Sequence, residues 1–585
     1  MFLFKKSWQF FTYKQKRYAI FIFALMFFAM ILESLSVGII LPLTSILLKG
    51  NMDISFLPNF FESQLPTGKK LIYLGLLITI LVFLIKNLLL VFNLWQQTKF
   101  LRNMHFEITN KLFKYYLKSE YLFFLQNNSA HLYRNLTDII SAFVSYTKAY
   151  MIFFTEIIVF MGIAFILFYI DFLGTTLILF SVGIVSFLIY ILTIGKISFF
   201  GKQRNIVGGE LNKHLLQGMA SAKDVKILDR ENDLIEQVDK NVFKMTRLNQ
   251  IMQFITGLPR FSFEVLMILA FSLLIFVMIK TNREMIDIIQ YLGVFAVASF
   301  RIVPGASRLL NSFQSIKYIE PSVKILLEEF EPKNFSNLNK KNEENKSTLP
   351  LKFQKEINIK NLSFSYPSRK EFSLSKLSMS IKKGDFVGII GETGSGKSTL
   401  INLIIGLLKP SQGEVEVDQL NIDSNLSGWY KKIGYVPQSI YLTDDTIRRN
   451  IAFGLNENDI DDSLIKESIV KANLEEFIKN LPNGLDTIVG EKGIRLSGGQ
   501  QQRIGIARAL YRDPEILILD EATSSLDQLT EKKIMESIQF LKRKKTLIIV
   551  THRLSTVQNC DRILFIEKGK IIKQGSPNEI LNSNN

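Results

Sequence analysis

The sequence has one cysteine, Cys560, and four histidines, His105, His131, His214 and His552. A single thiol cannot form a disulfide within the chain, and the histidine spacing suits no metal site, so metal chemistry held by Cys or His is not expected. No internal repeat is visible. A cleaved leader is not expected either: the apolar run that begins at Tyr18 is too long for one and lacks a small-residue cleavage pattern. What the chain has in excess is grease and positive charge. It is 48% hydrophobic, carries 48 Phe and has a formal charge of +17 over 585 residues. That length exceeds one hydrophobic core, and that composition is too apolar for an ordinary soluble enzyme. The charge fits either a surface facing the inner side of a bilayer or a protein that handles phosphate. A nucleic-acid partner is not expected.

Apolar runs near 18–48, 71–95, 149–171, 173–199, 261–280 and 286–307 predict six transmembrane helices. An even number leaves both termini on one side. The leading MFLFKKSWQFFTYKQKR, with Lys5, Lys6, Lys14, Lys16 and Arg17, places that side in the cytoplasm and suits an amphipathic helix on the surface. Residues 96–148 and 200–253 are polar, charged and helix-compatible, as expected of long cytoplasmic extensions of membrane helices. The expected organisation is an α-helical membrane domain over 1–330, a solvated Asn, Lys and Ser-rich linker over 331–350, and an α/β P-loop domain over 351–585. In the last, short β-branched runs such as FVGII and LIIV alternate with helical segments.

GETGSGKST fits G-x-x-x-x-G-K-[ST] and stands between a strand-like run and a helix, the context that motif requires. Its residues are Gly391, Glu392, Thr393, Gly394, Ser395, Gly396, Lys397, Ser398 and Thr399. The glycines let backbone N–H groups curl around a β-phosphate, Lys397 supplies a point charge, and the Ser398 hydroxyl is a ligand for Mg²⁺. ILILDE buries an apolar strand and ends in two acids, Asp520 for the Mg²⁺ shell and Glu521 to polarise the attacking water. Between and after these lie VPQS with Gln438, RLSGGQQQR with Ser497, Gly498, Gly499 and Gln500, SSLD with Asp527, and VTHR with His552.

Taken in that order, these residues resemble the nucleotide-binding domain of ABC transporters. The resemblance implies that two such domains sandwich two ATP molecules, the LSGGQ of one subunit capping the γ-phosphate held on the P-loop of the other. A free helix N-terminus behind Ser497 suits an anion physically. By the same resemblance Tyr366 stacks on adenine, Gln438 touches Mg²⁺ and the membrane half, and His552 contacts the γ-phosphate. TIVGEKG, residues 487–493, resembles the TxVGExG segment of ABC exporters. Six spans fused ahead of one nucleotide domain match an exporter half-transporter, which pairs to complete its ATP sites, and no degenerate motif calls for a different partner than a second copy. Short coupling helices are expected near 119–135 and 219–233.

Cargo is read from charges in the membrane half. Arg301 and Arg308 stand in the last span, seven residues and hence two turns apart, with Pro304 and Gly305 between them permitting a kink. Arg301 has no acid three or four residues away on its own helix. Lys86 is expected at about the same depth, and Arg260 at the cytoplasmic mouth of the fifth span, where Glu264 four residues on is a rival partner. Such charges are expensive in lipid, about 2.5–3.5 kcal/mol for an Arg at mid-helix. Four unpaired cations would suit a pyrophosphate-bearing lipid. FRIVPGASRLLNSF and FIKNLPNGLDTIVGEKG look similar to bacterial flippases of lipid-linked oligosaccharides that serve protein glycosylation, located in the cell inner membrane. The resemblance implies movement of a polyprenyl-pyrophosphate glycan from the cytoplasmic to the periplasmic leaflet, and a short lipid-recognising helix in the first outer loop, where DISFLPNFFESQL, 53–65, is apolar enough. A general lipid or multidrug exporter is the alternative, its cavity lined by aromatics. An ATP-gated channel or scaffold would tolerate loss of the catalytic acid, but Glu521 is present. Peptide export with leader cleavage is not expected, since no Cys protease precedes the first span.

Overall fold

The computed structural model describes the chain apart from residues 1–5, 7, 9–10, 41, 45–68, 282, 284, 331–350, 368–370, 523–527 and 583–585. The 53–65 segment, the 331–350 linker and Asp527 therefore lie outside the described residues. The rest divides into two compact units, one of residues 1–119 and 126–336, the other of 120–125 and 337–585.

The first unit has six helices long and apolar enough to cross a membrane. We label its elements α1 (Tyr13–Gly38), α2 (Lys69–Lys118), α3 (Tyr121–Gln126), α4 (Ser129–Arg134), α5 (Ile140–Ile170), α6 (Phe172–Ala220), α7 (Ala222–Ile227), α8 (Glu231–Lys280) and α9 (Met285–Glu329), of which α3 groups with the second unit as far as Leu125. The apolar runs and the polar extensions behind them are single helices: α2 and α8 each run 50 residues and α6 runs 49. Local chemistry sets their ends. Thr12 starts α1 with a reciprocal box, its Oγ1 accepting from the Gln15 N–H at 3.3 Å while its own N–H donates to Gln15 Oε1 at 2.9 Å. Asp171 alone separates α5 from α6. It accepts from the Gly174 N–H at 2.9 Å and pairs with Arg283 at 2.9 Å, which satisfies the helix start and its own charge together. The core joins α5, α8 and α9 through side chains such as Leu167, Phe263, Leu274, Phe295 and Ile302. The most apolar stretch of α2 is unburied within the unit, leaving Leu77, Ile80, Leu84 and Leu88 as an outward surface suited to lipid.

The second unit carries β1 (Glu356–Phe364), β2 (Leu374–Lys382), β3 (Phe386–Ile390), β4 (Gln412–Val417), β5 (Leu420–Asn421), β6 (Ile433–Val436), β7 (Ile516–Asp520), β8 (Thr546–Val550), β9 (Arg562–Glu567) and β10 (Lys570–Gly575). Four form an antiparallel sheet in the order β2-β1-β4-β5, and six form a sheet in the order β10-β9-β3-β8-β7-β6. In the second sheet β9, β3, β8, β7 and β6 are parallel. The central strands β3, β7 and β8 are buried along their whole length, which accounts for their unbroken apolar sequences. Parallel strands deliver their loops to one edge, so the segments after β3, β6, β7 and β8 emerge together.

Candidate nucleotide site and membrane charge cluster

The loop after β3 runs from Gly391 to Gly396 and opens the helix Lys397–Ile405, labelled α10. Gly396 sits at φ +104°, and a Cβ there would come within 2.8 Å of Leu374 Cδ2 and 2.9 Å of the Ser373 carbonyl oxygen, so the turn requires glycine on both counts. Lys397 Nζ donates to the carbonyls of Gly391 and Glu392, both at 2.8 Å, which folds the side chain back over the loop. The Ser395 hydroxyl is buried with no hydrogen-bond partner among the described residues. An orphaned donor inside a glycine-rich loop at a helix N-terminus suits a phosphate oxygen.

β7 ends at Asp520, a buried carboxyl that accepts from the Tyr435 hydroxyl at 3.5 Å. Burial first, and then the neighbouring Glu521 charge, push its pKa above the usual carboxylate range, against the pull of Tyr435, Ser398 and Lys397. A carboxyl so placed gains from a cation beside it. Glu521 follows with φ +49°, a left-handed backbone held by its N–H bond to the Val550 carbonyl at 2.9 Å. Two loops converge on its carboxylate: Gln438 Nε2 donates to Oε2 at 2.7 Å, and His552 Nδ1 stands 3.6 Å from Oε1. Tyr366 packs edge-on against Phe364, ring centroids 4.9 Å apart, with its hydroxyl 3.3 Å from Thr399 Oγ1.

Most of these groups border one cavity of about 930 Å³, lined by Tyr366, residues 391–394 and 396–399, Gln438, Glu521 and His552, while Ser395 and Asp520 are not among its lining residues. Phe372, Ser373 and Lys568 line it too and were not singled out from sequence. Lys568 stands in a turn with φ +46°, for which its EKGK context was the available signal.

The membrane cations are arranged differently from the expected open ring. Arg301 pairs with Glu33 of α1, Nε to Oε1 at 2.5 Å and Nη2 to Oε2 at 3.0 Å, and reaches Glu156 of α5 at 3.6 Å. Arg308 forks onto the same Glu156, with Nε to Oε1 at 2.6 Å and Nη2 to Oε2 at 3.4 Å. Arg260 pairs with Glu264 at 3.2 Å. Lys86 Nζ lies 4.3 Å from the Phe83 ring centroid. Acids on other helices thus supply what Arg301 lacks on its own, which corrects the expectation of unpaired cations. Arg260 and Arg308 line a common cavity of about 1090 Å³ between α8 and α9; Arg301 and Lys86 are not among its lining residues.

Residues 374–524 match the family model described as ABC transporter. This segment is an ABC transporter domain. Over 230 residues the chain is 44% identical to an ATP-dependent lipid A-core flippase of Pasteurella multocida (strain Pm70), covering 38% of this chain and 39% of that protein. It is 38% identical over 309 residues to an ATP-dependent lipid A-core flippase 2 of Colwellia psychrerythraea (strain 34H), covering 49% and 53%. Against the Bacillus subtilis (strain 168) protein named "Probable multidrug resistance ABC transporter ATP-binding/permease protein YheI" it is 32% identical over 388 residues, covering 64% and 63%. The aligned stretches thus span from about two fifths to under two thirds of these relatives. The solved structure of a bacterial Atm1-family ABC exporter with ATP bound superposes with a TM-score of 0.72 at 19% identity, over 97% of this chain and 96% of that one. The chain shares the fold of that exporter over nearly its whole length.

Within the ABC transporter domain the LSGGQ segment stands apart from the nucleotide cavity. Ser497 caps the helix Gly498–Leu510, α11, its Oγ accepting from the Gln500 N–H at 3.3 Å and its N–H donating to Gln500 Oε1 at 2.8 Å. Among the described residues, Ser497, Gly498, Gly499 and Gln500 do not line the cavity that holds Lys397 and Glu521.

Proposed function

We propose that the chain is an ATP-hydrolysing exporter that works as a homodimer in the cell inner membrane with both termini cytoplasmic, and that it flips a lipid-linked oligosaccharide, a polyprenyl-pyrophosphate glycan, toward the periplasmic leaflet. The observation that carries the hydrolytic part is the convergence of Gln438 and His552 on Glu521 at the rim of the P-loop cavity. In this reading the loop N–H groups and Lys397 hold the ATP phosphates, Tyr366 stacks on the base, and Glu521 orients the attacking water. Ser398, Asp520 and Gln438 would hold Mg²⁺, whose chemistry is to neutralise charge building on the phosphates. The exposed cap at Ser497, outside this cavity, supports a site completed by a second copy's signature helix. The short helices α3 and α7 fall within the two segments expected to couple transport to ATP use.

Support for the cargo comes from Arg260 of α8 and Arg308 of α9, which line one cavity together with Glu264, and from the lipid-handling relatives. General lipid or multidrug export is the second reading, favoured by the apolar side of that cavity, where Phe261, Met267, Phe271 and Phe300 line it, and by the acid partners that neutralise the arginines. The two separate in proteoliposomes. A short-chain polyprenyl-pyrophosphate glycan should be moved and should stimulate ATPase, while an uncharged lipid and a cationic drug should not. Movement of the latter two with the glycan left untouched reverses the choice.

A further inference from the structure

Glu33, Glu156, Arg301 and Arg308 come from three helices and form one cluster of ion pairs. Its two carboxylates answer its two guanidiniums, and Lys86 lies within electrostatic reach of Glu33 and Arg301. The acids are the hidden members, each 6% exposed at the side chain, while Arg301 is 23% and Arg308 43% exposed. Glu156 is shared, forked by Arg308 and touched by Arg301. Arg308 is the member that also faces open space, since it lines the cavity between α8 and α9. Its bonds to Glu156 use Nε and Nη2, so a guanidinium with five N–H donors has donors beyond those Glu156 takes. Next to it on the same wall, Ser307 is 7% exposed and its hydroxyl is buried with no hydrogen-bond partner among the described residues. A buried hydroxyl donor without an acceptor, beside an arginine whose charge is met from behind, is the complement of an oxyanion.

Gly305 makes the arrangement possible. It stands between the two arginines, and a Cβ at that position would lie 3.1 Å from Glu156 Oε2 and 3.4 Å from Phe160 Cε2. The missing side chain is the space through which Glu156 reaches both guanidiniums.

We propose that Glu156 is the resident counter-anion of Arg308, and that a phosphate-class group of the cargo binds by taking its place on that guanidinium, with the Ser307 hydroxyl donating to one of its oxygens. This rests on the reading above that the cargo is an anionic lipid, and it adds the residue that sets how tightly the anion is held. A guanidinium set between apolar helices gains from a compensating charge, and the carboxylate provides it whenever the cargo is elsewhere. Competition from Glu156 also weakens the hold on the anion, as a transporter that releases its cargo requires. Glu33 keeps Arg301 compensated throughout, so the exchange is confined to the cavity side.

The test uses the full chain in phosphatidylcholine nanodiscs, with farnesyl pyrophosphate and inorganic pyrophosphate as probes and calorimetry as the readout. Glu156→Gln should bind farnesyl pyrophosphate about tenfold more tightly than the parent chain, because one competing charge is gone. The gain should vanish in the Glu156→Gln, Arg308→Gln double variant. A gain for both probes supports a site for the free anion, and a gain for farnesyl pyrophosphate alone supports a headgroup delivered from the bilayer. No gain for either probe, at equal folded protein, overturns the proposal. Should Glu156→Gln not fold, Glu156→Asp draws the carboxylate back and is expected to show a smaller gain of the same sign; its absence likewise overturns the exchange. Flipping of the glycan by the parent chain is scored separately. A binding gain without flipping removes the cargo reading and keeps the exchange, and flipping without a gain does the reverse.

Discussion

The two units hold their charges in opposite ways. Around the candidate nucleotide cavity the ionisable groups stand at the ends of parallel strands and meet neutral partners: Lys397 rests on its own loop's carbonyls, and Glu521 is met by an amide and an imidazole. In the membrane unit Arg301 and Arg308 are paired with Glu33 and Glu156 from neighbouring helices. Exposure does not explain the difference, since Lys397 is more buried than either arginine. A charge in a loop of free N–H groups and hydroxyls can be held for a ligand, whereas a charge between apolar helices must be answered within the fold.

The contrast predicts where a single substitution alters chemistry and where it alters stability. The largest effect is expected at Glu521→Gln: ATP turnover about 10²–10⁴-fold lower with ATP affinity retained, since the amide keeps the shape and loses the base. Turnover near that of the parent chain in a phosphate-release assay would take Glu521 out of that role. An intermediate effect is expected from mixing. Ser497→Arg and Lys397→Ala should each be inactive alone, yet co-expressed chains should regain part of the ATPase rate, because in a mixed pair both lesions can fall on one of the two sites. Activity no higher than either parent variant means that both sites must fire together or that the signature of one copy does not serve the other. Crosslinking Ser497→Cys to a cysteine in the opposing P-loop, in a Cys560→Ser background, tells these apart.

The smallest expected effect, at Arg260, closes a stability series that sharpens the comparison from the membrane side. Arg301→Ala leaves Glu33 buried without its partner and should destabilise by about 3–5 kcal/mol. The double variant Arg301→Met, Glu33→Leu removes a whole pair, keeps the Arg308 to Glu156 contact, and should recover most of that loss. Arg260→Ala, which breaks an exposed pair with Glu264, should change stability by no more than about 1 kcal/mol. Thermal unfolding in nanodiscs orders the three; equal losses for Arg301→Ala and Arg260→Ala would contradict the burial argument.

The local geometry of the candidate nucleotide site was legible because its residues lie in short contiguous motifs whose shape is set by nearest neighbours. Gly396 needs its positive φ, and Ser497 finds its cap three residues on. The six long helices were legible for a similar reason, apolar runs of bilayer length being a local property. Glu33 and Glu156 were not. Each stands alone in an apolar run, and the helical spacing rule that left Arg301 without an acid inspects only its own helix, while the partners lie 268 and, for Arg308, 152 residues away along the chain. The available signal was the acids themselves, since a lone Glu inside a membrane-length run demands a partner as firmly as a lone Arg does. Pro304 and Gly305 were read as a kink; the glycine's spatial role is to admit Glu156.

The long helices have a mechanical meaning. α2 and α6 contain no proline, so each is a continuous helix about 75 Å long at 1.5 Å per residue. α8 and α9 are built otherwise, with Pro259 in one and Pro304 and Pro321 in the other, where a missing N–H lowers the bending stiffness at a defined point. A displacement at one end of α2 or α6 is carried toward the other end. In the proline-bearing pair bending is favoured next to Arg260 and near Arg308, where the charged cavity lies.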